Sequence, residues 1–399
     1  MKAHHPGILL ILLLLVFPQF SETVYAPVLP GVSAAFSVSS NLAQLTMSLY
    51  FAGFAAGVLC WGYLADRIGR RKSMIAGLVI YGLSALVAVF VESFWAFLMA
   101  RIALAFGASA GSVVIQTVIR DCYEGEGIVR VFSLVGVALS LSPTLGPVLG
   151  GILAESHGLE GVLYALVCLA VLLLIWTLLK LPETQKAQPG NNPERLSMVA
   201  LAGKMLCDRR ILCSVLLVAG MNILLFGYYT LGPFVVAKMG FSEQVFGFSG
   251  LLMALGTAIG ALLNRSLVRR VNIEKLVQWG CTLALAGSLL QGLVSVLSFE
   301  SQRLHLVLFL LPMILIVTGF GLTIPNVLGT ALVDYKPQLG SAGALLGLFY
   351  YLVIMAGLGA LSAWYVDTLW YMPMNFALIS TLLVLIANVK RKVLHPFAK

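Results

Sequence analysis

Gly161-Val162-Leu163-Tyr164-Ala165-Leu166-Val167-Cys168-Leu169-Ala170-Val171-Leu172-Leu173-Leu174-Ile175-Trp176-Thr177-Leu178-Leu179 carries no charged residue. Coiled as an α-helix, this stretch rises about 28 Å, which matches the roughly 30 Å hydrocarbon core of a bilayer. The pattern repeats along the whole chain. Of 399 residues, 60% are hydrophobic and 10% charged, whereas a soluble domain carries about 25% charged residues. A mean hydropathy of +0.99 makes lipid the solvent of this chain.

Spans are predicted near residues 7–29, 41–64, 73–91, 94–118, 130–153, 161–180, 211–236, 244–266, 274–297, 305–329, 343–365 and 368–389. The fold class is therefore an all-α membrane protein with twelve transmembrane helices in two six-helix bundles. The expected boundaries are 1–181 for the N-terminal bundle, 182–210 for a linker and 211–399 for the C-terminal bundle. The linker holds Pro182, the run Pro189-Gly190-Asn191-Asn192-Pro193 and several charges, so it reads as a connection and not as a folded domain.

Lys and Arg set the orientation. With the N-terminus inside, 22 of the 25 basic residues fall on the cytoplasmic side, Lys238 and Arg303 lie outside, and Arg101 falls within a span. This asymmetry predicts cytoplasmic N- and C-termini and an even number of spans. It also accounts for the formal net charge of +9: the basic loops face anionic lipid headgroups, so no nucleic-acid partner is implied. Lys2 and the apolar run after it have the outline of a signal peptide. No small-residue cleavage site follows that run cleanly, and its removal would leave an odd number of spans, so it is expected to stay as the first span. The six cysteines fall in spans or on the cytoplasmic side, where disulfides are not expected.

Acidic residues gather in loops and at span ends, with Glu22 the one that lies well inside a span. Arg101 is its basic counterpart. A lone charge at mid-membrane depth costs roughly 2.5–3.5 kcal/mol, so each needs a partner or a watery cavity. At about 1.5 Å of rise per residue, both lie roughly 12–13 Å from the outer ends of their helices. They are expected to face one cavity and to pair, directly or through water. One reading is a static pair that pins two helices. The other makes Glu22 a proton-exchanging group beside a fixed guanidinium counter-charge.

Span 2 ends in Gly62-Tyr63-Leu64-Ala65-Asp66-Arg67-Ile68-Gly69-Arg70-Arg71-Lys72. This resembles motif A of the major facilitator superfamily almost residue for residue. Three more stretches match in register. Arg101 opens R-x-x-x-A-x-G-A-x-A-G, with Arg120-Asp121 at the inner end of the same span. Ser142-Pro143-Thr144-Leu145-Gly146-Pro147-Val148-Leu149-Gly150-Gly151 resembles the antiporter motif C. Leu181-Pro182-Glu183-Thr184 is similar to the superfamily's P-E-T signature. Pro27-Val28-Leu29-Pro30 and the run Gly340 to Gly347 are most similar to the Bcr/CflA drug:proton antiporter branch. In that branch an aspartate precedes Tyr-x-Pro in helix 1. Here Thr23 holds that place and Glu22 comes one residue earlier, a turn of about 100° around a helix. Leu104 replaces the usual Gln after the motif B arginine.

The resemblance implies two bundles that alternate access about a midplane site. It implies a cytoplasmic gate network of Asp66, Arg67, Gly69, Arg70, Arg71, Arg120, Asp121 and Glu183. Gly146, Pro147, Gly150 and Gly151 would let helix 5 bend and pack closely. Cavity residues expected at suitable depth are Gln19, Tyr25, Tyr50, Phe54 and Gln116 in the first half. In the second half they are Asn222, Phe226, Tyr229, Tyr350 and Trp364. Five scattered histidines show no metal-ligand spacing, no phosphate loop is present, and no nucleophile–base set lies in the spans. No cofactor and no catalytic residue are expected. The partners are a small-molecule substrate, protons and the bilayer, with the chain acting as a monomer in a bacterial inner membrane. The expected function is proton-coupled export of drugs or amphipathic metabolites. The alternatives are a siderophore or metal-chelate permease, and a membrane sensor on the same fold.

Overall fold

The computed structural model describes residues 6–185 and 197–394. Within them every regular element is helical, and the chain divides into two compact units, Met1–Pro193 and Glu194–Lys399. The first contains α1 (Ile8–Tyr25), α2 (Leu29–Ala35), α3 (Ser40–Ile68), α4 (Arg70–Phe90), α5 (Phe94–Cys122) and α6 (Glu126–Lys180). The second contains α7 (Met198–Cys207), α8 (Arg209–Lys238), α9 (Glu243–Leu267), α10 (Ile273–Val296), α11 (Gln302–Leu310), α12 (Met313–Ala331), α13 (Leu339–Ala363) and α14 (Tyr371–Leu394). Eleven helical segments among the described residues are long and apolar enough to cross a membrane.

Three breaks trace to individual residues. Pro27 converts the end of the first span into a 3₁₀ turn, Ala26–Val28, before α2 carries the helix on to Ala35. Pro312 divides α11 from α12, where the sequence suggests one continuous span at 305–329; its missing N–H cannot extend the helical ladder. In α6 the backbone leaves helical geometry at Gly158, with φ 61° and ψ −152°. An unbroken helix from Glu126 to Lys180 would run about 80 Å, far beyond one bilayer core. The break falls between the spans expected at 130–153 and 161–180. Gly146 and Gly150, before it, pack on α1, whereas Ala170, after it, packs on Gly82 of α4.

Helices inside each unit meet over small residues, the usual solution where lipid tails are as apolar as the side chains. A Cβ on Gly107 of α5 would lie 2.6 Å from Gly77 O of α4. In the second unit a Cβ on Gly319 of α12 would lie 2.3 Å from Gly280 O of α10.

The 182–210 segment contains more structure than a bare connection. Residues 186–196 lie outside the described part, but α7 follows, capped by the Ser197 hydroxyl accepting from Ala200 N–H. Its Leu201 and Met205 are buried with Ile211, Val215, Ala342 and Leu345. The Pro/Gly-rich and charged residues that precede α7 conceal this amphipathic helix in the sequence.

Candidate functional site

The centre of the first unit is polar. Ser21, Glu22 and Thr23 of α1 are all buried, at 0%, 4% and 0% exposure. Pro18 lies inside the same helix. It cannot donate to Leu14 O, and Gly111 of α5 sits against that carbonyl, where a Cβ would come within 2.4 Å. Thr23 and Glu22 point different ways. The Thr23 hydroxyl donates to Gln19 O at 2.9 Å, and its side chain faces α6, where a Cβ on Gly146 would meet Thr23 Oγ1. Glu22 is close enough to Arg101 of α5 for the guanidinium charge to act on its carboxyl. The position that the drug-antiporter branch fills with aspartate is thus a helix-packing position here, and the acid lies on the neighbouring face.

Arg101 is fully buried. Its guanidinium lies 3.7 Å from the Tyr25 ring centroid and 5.1 Å from that of Tyr50. Both rings are held by their hydroxyls. Thr46 donates to Ala43 O at 2.6 Å, so its oxygen is left to accept from the Tyr25 hydroxyl at 2.9 Å. Tyr50 donates to Pro18 O at 3.3 Å. A desolvated cation–π contact is worth about 2 kcal/mol, but it uses none of the guanidinium N–H donors. Nε and both terminal nitrogens of Arg101 lack a hydrogen-bond partner, as does Glu22 Oε1. The sequence leads to a pair made directly or through water; no direct ion pair joins the two side chains, and aromatic faces hold the cation. Phe54 extends the aromatic surface, its ring 6.3 Å from that of Tyr50. Tyr81, which no sequence motif singles out, donates to Ser21 Oγ at 2.9 Å and completes the polar core. Gln19 and Gln116 are half-buried.

At the end of this unit where α3 meets α4, Arg70 is the hub. It is 7% exposed. Its Nε donates to Asp121 at 2.8 Å, and one terminal nitrogen donates to Ala65 O at 2.8 Å and pairs with Asp66 at 3.2 Å. Glu183, beyond α6, accepts from the backbone N–H groups of Arg70 at 2.8 Å and Arg71 at 3.2 Å. A carboxylate at a helix N-terminus meets both orphan donors and the positive end of the macrodipole. Gly69 makes this possible: its φ is +100°, and a Cβ there would lie 2.3 Å from Glu183 Oε2. Arg71 also donates to Leu178 O at 2.7 Å, and Thr184 to Asp121 at 3.2 Å. Arg67 stands over the Tyr63 ring. Arg120, expected in the same network, is exposed and forms no ion pair among the described residues, whereas Asp121, also expected there, pairs with Arg70.

Gly150 of motif C packs directly on backbone, a Cβ there falling 2.1 Å from Val24 O. Pro147 and Gly151 are buried beside it. Gly150→Ala is expected to destabilise the protein by about 1–3 kcal/mol through overpacking, read as a lowered unfolding midpoint of the purified protein.

In the second unit the Asn222 amide donates back to Val218 O at 2.8 Å. Phe226 and Tyr229 are neighbours at 6.2 Å, and Tyr350 packs on Tyr351 at 4.4 Å. Trp364 is placed differently from its expected cavity depth: it is the C-cap of α13 and is 75% exposed.

Comparison with known proteins agrees with this architecture. The family model of the Major Facilitator Superfamily matches residues 11–388. An "Uncharacterized transporter" of Rickettsia felis is 30% identical over 381 residues, covering 93% of this chain and 91% of the relative. "Multidrug resistance protein MdtL" of Shewanella oneidensis is 25% identical over 344 residues, covering 84% and 83%. "Bicyclomycin resistance protein homolog" of Haemophilus influenzae is 24% identical over 288 residues, covering 72% and 71%. Among solved structures, a D-xylose–proton symporter superposes with a TM-score of 0.73 at 16% identity, covering 94% of this chain and 96% of that one. At that identity the likeness speaks for the fold alone. The chain is a multi-pass membrane transporter and belongs to the major facilitator superfamily.

Proposed function

We propose that this transporter is a proton-coupled antiporter of the inner membrane that exports drugs or small amphipathic metabolites by alternating access. In this reading α6 crosses the membrane twice, about Gly158, giving twelve spans in two six-helix bundles with both termini in the cytoplasm. The observation that carries the proposal is the core of the first unit. There a buried carboxylate oxygen of Glu22 and the guanidinium of Arg101 lie within electrostatic reach, both without hydrogen-bond partners. Uncompensated buried charge is costly, and such charges inside a membrane belong to ion and proton pathways more often than to scaffolding. Relatives named for multidrug and bicyclomycin resistance support the substrate class. Arg70, Asp121, Glu183 and Gly69 act as the cytoplasmic gate, and the aromatic side chains of Tyr25, Tyr50 and Phe54 as part of the substrate path.

The test is reconstitution into liposomes with an imposed pH gradient. Substrate accumulation on the acidic side, abolished by collapsing the gradient, is expected. Absence of coupled proton movement with any of a panel of amphipathic drugs would overturn the antiporter reading.

A further inference from the structure

A separate site lies in the second unit, at the end where α8 begins and α14 finishes. A cavity of ≈ 260 Å³ opens there between α8, α10, α12 and α14. Drug-sized pockets run to about 300–1,000 Å³, so the space suits something smaller. Lys390 lines it at 7% exposure and donates to Ser214 Oγ at 3.0 Å. An ammonium has three N–H donors, and the bond observed goes to a neutral hydroxyl. Ser214 itself donates to Arg210 O at 2.7 Å, so its oxygen serves only to accept from the lysine. A lysine this buried without a carboxylate hydrogen-bonded to it is a costly arrangement.

The rest of the lining carries both signs. Arg210 and Asp334 stand at the mouth, paired at 3.0 Å and half-exposed, and Glu274 lies on the wall. A simple anion entering toward Lys390 would meet Glu274 and Asp334, and a simple cation would meet Lys390 and Arg210. A molecule with an oxyanion and an ammonium a few bonds apart satisfies both pairs. The helix ends that form the cavity carry Arg209 and Arg210 on one side and Lys390, Arg391 and Lys392 on the other, the composition expected at headgroup depth.

We propose that this cavity binds a short zwitterion of the ethanolamine phosphate type, with its oxyanion on Lys390 and Arg210 and its ammonium on Glu274 and Asp334. The group can arrive as the headgroup of a bilayer lipid or as a soluble ester. The site is independent of the Glu22–Arg101 core and does not depend on the direction or coupling of transport.

The test uses the purified full-length protein. Ethanolamine phosphate is expected to raise the unfolding midpoint, whereas ethanolamine or methyl phosphate at the same concentration leaves it unchanged. Lys390→Met and Glu274→Gln are each expected to weaken calorimetric binding about tenfold or more, as loss of one member of a buried charge pair does. If Lys390→Met does not fold, Glu274→Gln carries the test. No shift with ethanolamine phosphate, an equal shift with methyl phosphate, or unaltered affinity in Glu274→Gln would overturn the proposal. Nanodiscs separate the two sources, both of which uphold the chemistry. If the soluble probe binds in phosphatidylglycerol discs and not in phosphatidylethanolamine discs, the lipid headgroup is the occupant. Equal binding in both identifies a soluble ligand.

Discussion

Glu22→Gln is expected to bring pH-gradient-driven transport in proteoliposomes down to that of empty vesicles while the protein remains folded. The two halves of this prediction have different physical origins. Glutamine keeps the volume and one oxygen of glutamate, so the packing of α1 is retained. Glu22 Oε1 has no hydrogen-bond partner and no ion pair with Arg101, so a neutral amide removes a buried charge without breaking a bond. Arg101 keeps its contacts with the Tyr25 and Tyr50 rings but loses its nearby counter-charge, and a buried charge left without one is destabilising. The unfolding midpoint is therefore expected to fall while the protein still folds. Transport is lost because the deep carboxylate of the first unit can no longer take up or release a proton. Substrate binding without a gradient, measured by equilibrium dialysis, is expected to persist, since Arg101 is held by Tyr25 and Tyr50 and not by Glu22. Unchanged pH dependence of transport in this variant would remove the proton role from Glu22.

That Glu22 and Arg101 stand out in the sequence follows from energetics: a charge deep in a span costs too much to occur without reason. Helix type and the place of most spans are legible on similar grounds, because a lipid-facing helix has few alternatives to a long charge-free run. Rotation about the helix axis is not legible, because adjacent residues differ by about 100° and both are often polar. This explains why Asp121 joins the Arg70 cluster while its neighbour Arg120 is exposed, and why Thr23 packs on Gly146 while Glu22 faces the core. It also explains why Arg101 rests on tyrosine rings: their placement depends on Thr46 and Pro18 holding two hydroxyls, contacts remote in sequence. Helix ends are less legible still. Trp364 lies at the end of an apolar run that reads as span, yet α13 stops at Ala363. The α7 helix is hidden for the opposite reason, its few apolar residues diluted by a polar linker.

Gly69→Ala is expected to cause the largest loss of stability of any single methyl addition near the α3–α4 turn. At φ +100° and ψ 157°, Gly69 occupies a region open essentially to glycine alone, and a side chain there costs about 1–3 kcal/mol. The added methyl also falls 2.3 Å from Glu183 Oε2. The exposed carboxylate must then retreat from the N–H groups of Arg70 and Arg71, and with water able to replace it the lost hydrogen bonding costs about 0.5–1.5 kcal/mol. Together these effects predict a loss of roughly 2–4 kcal/mol, read as a marked fall in the unfolding midpoint. Glu183→Gln isolates the second part: the backbone keeps its shape and the cap loses its charge, so the fall is expected to be smaller. Because both substitutions act on the same cap, the double variant should lose clearly less than the sum of the two. Strict additivity would mean that Gly69 and Glu183 act separately, and that the close approach of the P-E-T segment to the motif A turn does not require the glycine.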